Sequence, residues 1–117
     1  MSGKFEIEVK GSVIIAHYEG EMDSTLVNDS AAQIEELLNS TEANKILYDT
    51  LKMSKPPMKL ALQMKSFDAR IKSKVVKSAT VVPGAATALK ASIAFVLSKH
   101  HKVFHNDYDG AVAWLNA

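Results

Sequence analysis

Apolar and polar residues alternate almost from the start of the chain. Phe5, Ile7 and Val9 are separated by Glu6 and Glu8, the period of a strand with one buried face. Gly11-Ser12 breaks the pattern, and Val13 to Tyr18 is apolar enough to be a more deeply buried partner, so the two segments are expected to form a hairpin. The period then lengthens. Val27, Ala31, Ile34 and Leu38 recur at helical spacing, with Asp23 or Ser24 placed to supply the N-cap oxygen. Lys45 to Asp49 reads as a short apolar strand. After Pro56-Pro57, Leu60, Met64, Phe67 and Ile71 fall on one helical face while Lys59, Gln63 and Arg70 turn away from it. Ser78 to Val82 reads as a buried strand stopped by Pro83-Gly84. Leu89, Ile93, Val96 and Leu97 form the stripe of a third helix, Val103-Phe104 a last short strand, and Asp107 or Asp109 opens a final helix ending in Ala113-Trp114-Leu115.

A hairpin followed by strand–helix alternation demands crossover connections, which lay helices against a mixed, mostly parallel sheet; the pattern predicts an α/β sandwich with about four helices. A chain of 117 residues supports one hydrophobic core, so residues 1–117 are expected to form a single domain. No apolar run approaches the roughly 20 residues of a membrane-spanning helix, and Met1-Ser2-Gly3-Lys4 lacks the apolar stretch of a secretory signal. A cytoplasmic location without a transmembrane segment is the expectation. The absence of cysteine excludes disulfides, thiolate catalysis and cysteine-held metal or cluster sites.

The net charge of +1 conceals a polarity along the chain: residues 1–44 carry −7, residues 45–102 carry +10 and the remainder −2. Such asymmetry marks either a surface for an acidic partner, phosphate or acidic lipid, or oppositely solvated helices. The basic segment contains the most suggestive chemistry. Ser54, Lys55 and Lys59 surround the expected start of the second helix, where free backbone N–H groups favour an anion, although two prolines remove donors there. Met53 and Met58 are adaptable apolar side chains beside those lysines, a combination suited to a protein partner or an acidic membrane surface. Ser54 ahead of a proline-led helix reads first as a capping hydroxyl.

His100, His101 and His105 are close in sequence, but a helix end followed by a strand does not aim all three at one metal, and they read as polar side chains at a helix C-terminus with His105 facing solvent. His17 shows no identifiable partner. Trp114, Tyr108 and Phe104 are expected to pack the last helix on the sheet rather than to stack bases, so no nucleic acid is expected. No nucleophile elbow, paired-carboxylate signature, His-Glu-x-x-His motif or dinucleotide loop is present. No catalytic residue, metal ligand or cofactor is assigned, and an enzymatic role is not expected.

The order of these pieces resembles a STAS-type domain, the family of the bacterial anti-sigma factor antagonists. Gly20-Glu21-Met22-Asp23 is similar to the turn leaving the second strand of those domains, and Asp49 to the aspartate closing their third. In the carboxyl half the Ala79-Thr80-Val81-Val82 strand, Lys102-Val103-Phe104 and Ala111-Val112-Ala113-Trp114-Leu115 resemble the SpoIIAA-like, or STAS/SEC14-like, subgroup. The resemblance implies a STAS-like sandwich and a regulatory module that docks a protein, or a second copy of itself, through the loop and helix after the third strand. It places Asp49, Met53, Ser54, Lys55, Met58 and Lys59 at that surface. In such antagonists a serine in an Asp-Ser-Ser or Asp-Ser-Thr motif opens the helix and is phosphorylated by a partner kinase, adding a charge of roughly −2. The corresponding residues 51–58 hold no Asp-Ser pair, which leaves Ser54 as the only nearby hydroxyl for phosphorylation. The SEC14-like name implies an alternative, a carrier of an anionic or lipid-like molecule with Lys55, Lys59 and Arg70 supplying charge.

Overall fold

The chain's computed structural model describes residues 3–54, 58–84 and 100–117. Strands β1 (Lys4–Lys10) and β2 (Val13–Gly20) form the hairpin. Gly11, at φ 61, takes the first turn position in the left-handed region that a side chain disfavours, which fits the tight two-residue connection. Helix α1 (Ser24–Ser40), β3 (Lys45–Met53), α2 (Met58–Ile71), a 3₁₀ turn (Lys72–Lys74), β4 (Lys77–Val82), β5 (His101–His105) and α3 (Tyr108–Asn116) follow. The five strands lie in the order β1-β2-β3-β4-β5, antiparallel between β1 and β2 and parallel thereafter. This is the expected α/β sandwich with a mixed, mostly parallel sheet. Three helices are described; the one expected at Leu89, Ile93, Val96 and Leu97 lies outside the described residues.

Each face of the sheet buries its own cluster. Ile14, Ala16, Tyr18, Ile46 and Tyr48 meet Val27, Ala31, Ile34 and Leu38 of α1 and Phe67 and Ile71 of α2. Val13, Ile15, Leu47, Ala79 and Val81 meet Ala111 and Leu115 of α3. Alternate residues of one strand thus feed opposite clusters, the two-residue period acting on a strand buried from both sides. The caps resolve in favour of Asp23, which accepts from the Leu26 N–H at 2.8 Å, and Asp107, which accepts from the Gly110 N–H at 2.9 Å. Phe104 and Trp114 sit 6.0 Å apart between β5 and α3, as the packing reading expected, and the Lys77 ammonium lies 4.9 Å over the Trp114 ring. The acidic α1 lies beside the basic α2 and the 3₁₀ turn that follows it: Arg70 of α2 pairs with Glu35 at 3.3 Å, and Lys74 of the turn donates to Asn39 at 2.8 Å.

Three strands outrun their sequence signals. β2 continues to Gly20, β5 begins at His101, and β3 continues from Asp49 to Met53. The β3 extension carries an irregularity: His17 pairs with Asp49 but Glu19 pairs with Lys52, so β3 holds one more residue than β2 across this interval. Such a bulge reverses the phase of the side chains beyond it. Leu51 accordingly joins the cluster beneath α3, whereas Met53 joins the one beneath α1 and α2.

Candidate functional site

The surface expected after the third strand starts at the end of β3. Because β3 continues to Met53, residues 51–53 belong to the strand and not to a loop after it. Ser54 is exposed, and its backbone N–H donates to the Gly20 carbonyl at 2.8 Å, fixing it beside the turn that leads into α1. Gly20 takes φ 77, which lets β2 end there. Lys52 is exposed as well. Met53, expected to offer an adaptable apolar side chain to a partner, is half-buried against the core, because the bulge turns it to the α1–α2 side. Lys55 lies outside the described residues, as do the side chains of Met58 and Lys59. Arg70, expected to lend charge to an anionic ligand, is engaged by Glu35 and lies 5.1 Å over the Phe67 ring.

Asp49 belongs to a second constellation, on the sheet face that carries α3. Its Oδ2 lies 2.8 Å from His17 Nδ1, and its Oδ1 accepts from the Leu51 N–H at 3.1 Å, satisfying a backbone group that the bulge removes from the ladder. His17 Nε2 faces Glu8 Oε2 at 3.0 Å, and Lys10 flanks Glu8 at 3.4 Å. One imidazole therefore joins the three strands β1, β2 and β3. Burial, the largest single influence, works against a charge on this ring, but the hydrogen bonds and negative charges of Asp49 and Glu8 together outweigh it and raise its pKa. The hydrogen bond from His17 in turn lowers the pKa of Glu8.

The sequence reading missed this arrangement, yet a signal was present. A two-residue Gly11-Ser12 turn sets Lys10 opposite Val13, and from that register Glu6 falls opposite His17 with Glu8 one step diagonal. Near the trio a groove of about 330 Å³ runs between the hairpin and α3, lined by Lys10, Val13, Ile15, Tyr108, Asp109 and Val112 among others. The Tyr108 pKa is raised by burial first and then by the charges of Asp49 and other neighbours, which ties the groove's end electrostatically to the trio.

The carboxyl-half histidines do not converge. His100 Nε2 lies 3.2 Å from the buried Asp68, and His105 is exposed. His101 corrects the view of it as a helix-end side chain. It is buried at the start of β5, with Nδ1 2.6 Å from Ser78 Oγ and Nε2 3.0 Å from Thr80 Oγ1, because pairing with β4 turns it beneath the sheet's helical layer. Burial chiefly, with the His100 charge, pushes its pKa down to about 3. Tyr48 packs 6.2 Å from the His101 ring, and its buried hydroxyl has no hydrogen-bond partner among the described residues.

No protein-family model matches the chain, and comparison with curated proteins finds no relative. Solved structures do match along nearly its whole length. An uncharacterized DUF3478-family protein with a SpoIIAA-like fold from Shewanella loihica PV-4 superposes with a TM-score of 0.72 at 14% identity, covering 97% of this chain and 93% of that one. An anti-sigma factor antagonist from Mycobacterium paratuberculosis gives 0.71 at 14% identity over 98% and 95%. The unphosphorylated anti-sigma factor antagonist SpoIIAA gives 0.70 at 14% identity over 96% of both chains. The chain has the SpoIIAA-like fold. Among the described residues, no helix is long and apolar enough to cross a membrane.

Proposed function

We propose that this chain is a non-enzymatic regulatory module that docks a protein partner at the carboxyl rim of its sheet, through the segment after β3 and the start of α2. The observation that carries the reading is the way the rim is built at Ser54. Its backbone is tied to Gly20, the preceding Met53 is anchored against the core, and Ser54 and Lys52 are left exposed. Backbone already tied down at Ser54 loses little conformational entropy there on association. Two of the structures sharing the fold are described as anti-sigma factor antagonists, which supports a protein as the docked species. Docking here rests on the basic residues of the segment and not on a phosphorylated serine, since the Asp-Ser pair of the antagonists is missing from residues 51–58.

A photo-crosslinking residue placed at Ser54 tests this in the native cell. The expected result is a discrete protein adduct that is absent when the same residue replaces Gln33 on the exposed side of α1. With that partner purified, Lys55→Glu combined with Lys59→Glu is expected to weaken binding at least about tenfold, the scale of losing two charge contacts at an interface rim. Ser54→Ala should leave the affinity unchanged. Loss of binding in Ser54→Ala with the two lysines silent would overturn the reading, as would equal adducts from both positions.

A further inference from the structure

We propose that Glu8, His17 and Asp49 form a proton-controlled clamp on the edge strand β1, closed while the His17 ring carries both of its protons and opened on its β1 arm when one is lost. The inference goes beyond the docking reading and does not depend on it. Ionised carboxylates only accept hydrogen bonds, whereas a neutral imidazole offers one donor and one lone pair. Oδ2 of Asp49 at 2.8 Å from Nδ1 and Oε2 of Glu8 at 3.0 Å from Nε2 are therefore both satisfied only by the doubly protonated ring. Loss of one proton must leave a lone pair facing a carboxylate.

The surroundings decide which arm opens. The Asp49 side chain is 18% exposed and the Glu8 side chain 41%. Asp49 is also fixed through its other oxygen by the Leu51 N–H at 3.1 Å, while Glu8 already has Lys10 at 3.4 Å and water within reach. An unpaired acceptor is costlier the more it is buried. The remaining proton therefore stays on Nδ1 toward Asp49, and Glu8 turns from the ring toward Lys10 and solvent. The trio changes from one net negative charge to two, beside a groove that Lys10 itself lines. The strand released is β1, at the end of the sheet order and joined within the sheet only to β2.

The charged and titratable groups around the ring come from every neighbouring element. Glu6, Glu8 and Lys10 lie on β1, Glu19 on β2, Asp49 and Lys52 on β3, and Tyr108 and Asp109 on α3. Lys4 pairs with Glu19 at 3.6 Å, and Glu19 also sits in register with Lys52, so the charges farther along β2 are partly compensated. Glu8 and Asp49 are the two acceptors that touch the ring. The raised pKa of His17 agrees with that geometry.

The test is nuclear magnetic resonance on the isotopically labelled intact chain, titrated between about pH 5 and 9, the range in which imidazole changes charge. Three results are expected: a His17 midpoint above the ordinary value of 6.5, a neutral ring in the Nδ1–H form, and an inflection in β1 amide exchange at the same midpoint. Beyond the intrinsic effect of pH, β1 amides should exchange up to about fivefold faster once the clamp opens, the scale of one partly exposed charged hydrogen bond, while β3 amides hold. Glu8→Gln should lower the midpoint and abolish the β1 inflection. An Nε2–H neutral ring, a midpoint at or below 6.5, or β1 exchange without inflection would each overturn the clamp. Asp49 keeps its bond to Leu51 in both states, so partner binding at the Ser54 rim should not follow this titration, and either proposal can fail alone.

Discussion

His17 and His101 occupy opposite faces of one sheet, and their surroundings shift their pKa values in opposite directions. Burial opposes the charged form of both rings, and for each it is the largest influence. The partners make the difference. His17 is gripped by Asp49 and Glu8, which can only accept, so the ring is favoured with two donors. His101 lies between the hydroxyls of Ser78 and Thr80, each able to donate or accept, so a neutral ring of either tautomer is accommodated at no charge-desolvation cost. The same side chain thus serves as a charged tie on an open sheet face and as a neutral polar spacer in the core.

The strongest way to break the comparison is acid. The His101 pKa is depressed to about 3 from an unfolded value of 6.5, so below 6.5 the unfolded chain binds a proton that the native chain refuses. Native stability should fall as the pH drops from 6.5 toward 3, by as much as about 4–5 kcal/mol from this group at full separation. Denaturant unfolding of the wild type and His101→Gln at several pH values measures it. The glutamine variant should start less stable at neutral pH and lose less on acidification. Parallel acid limbs in the two proteins would mean that His101 is not the buried neutral group described here.

His17 should show the opposite sign with a smaller amplitude. Its folded pKa is raised, so its contribution is complete below the unfolded value of 6.5 and disappears as the pH rises through the folded value. At a third exposed, the ring contributes less than about 1 kcal/mol after screening by water and salt. His17→Gln should therefore be destabilised at pH 6 and nearly indistinguishable from wild type by pH 9. A deficit that persists at the higher pH would assign His17 a packing role in place of a charged one.

The contrast between these two residues also explains how much of the molecule the sequence discloses. The clusters that make the fold are visible as periods: Val27, Ala31, Ile34 and Leu38 are buried as their spacing requires, and Val13 and Ile15 part from Ile14 and Ala16 as a strand buried on both sides must. Strand ends are less visible, because the stretch from Thr50 to Met53 has no strand-like period, and its far end is recruited by the ladder to β2, Lys52 opposite Glu19 and Met53 opposite Gly20. The His17 trio depends on pairing between strands, which only the Gly11-Ser12 turn betrays. His101 is hidden for a different reason. Between His100 and Lys102 it looks like part of a solvated helix end, and only β4 pairing shows that its side chain turns inward while Lys102 reaches outward to within 5.2 Å of the Phe104 ring centroid.

The smallest expected effect probes the core side of the comparison from Tyr48. This ring packs against His101, and burial first, then the charges of Tyr18 and Asp68, raise its pKa well above the ordinary tyrosine value. Its hydroxyl finds no hydrogen-bond partner among the described residues, although the residue is only 3% exposed. A buried hydroxyl without a partner has lost its water and gained nothing in exchange, so removing it should not weaken the fold. Tyr48→Phe is expected to be neutral or more stable by up to about 1 kcal/mol, against the usual trend for core substitutions. The control is Tyr18→Phe, where the hydroxyl lies 3.0 Å from Ser30 Oγ and its removal should cost about 1 kcal/mol. Urea unfolding of the two variants at neutral pH distinguishes the cases. If Tyr48→Phe loses as much as Tyr18→Phe, its hydroxyl is bonded, and the polar layer around His101 extends farther than the two threonine and serine hydroxyls that now define it.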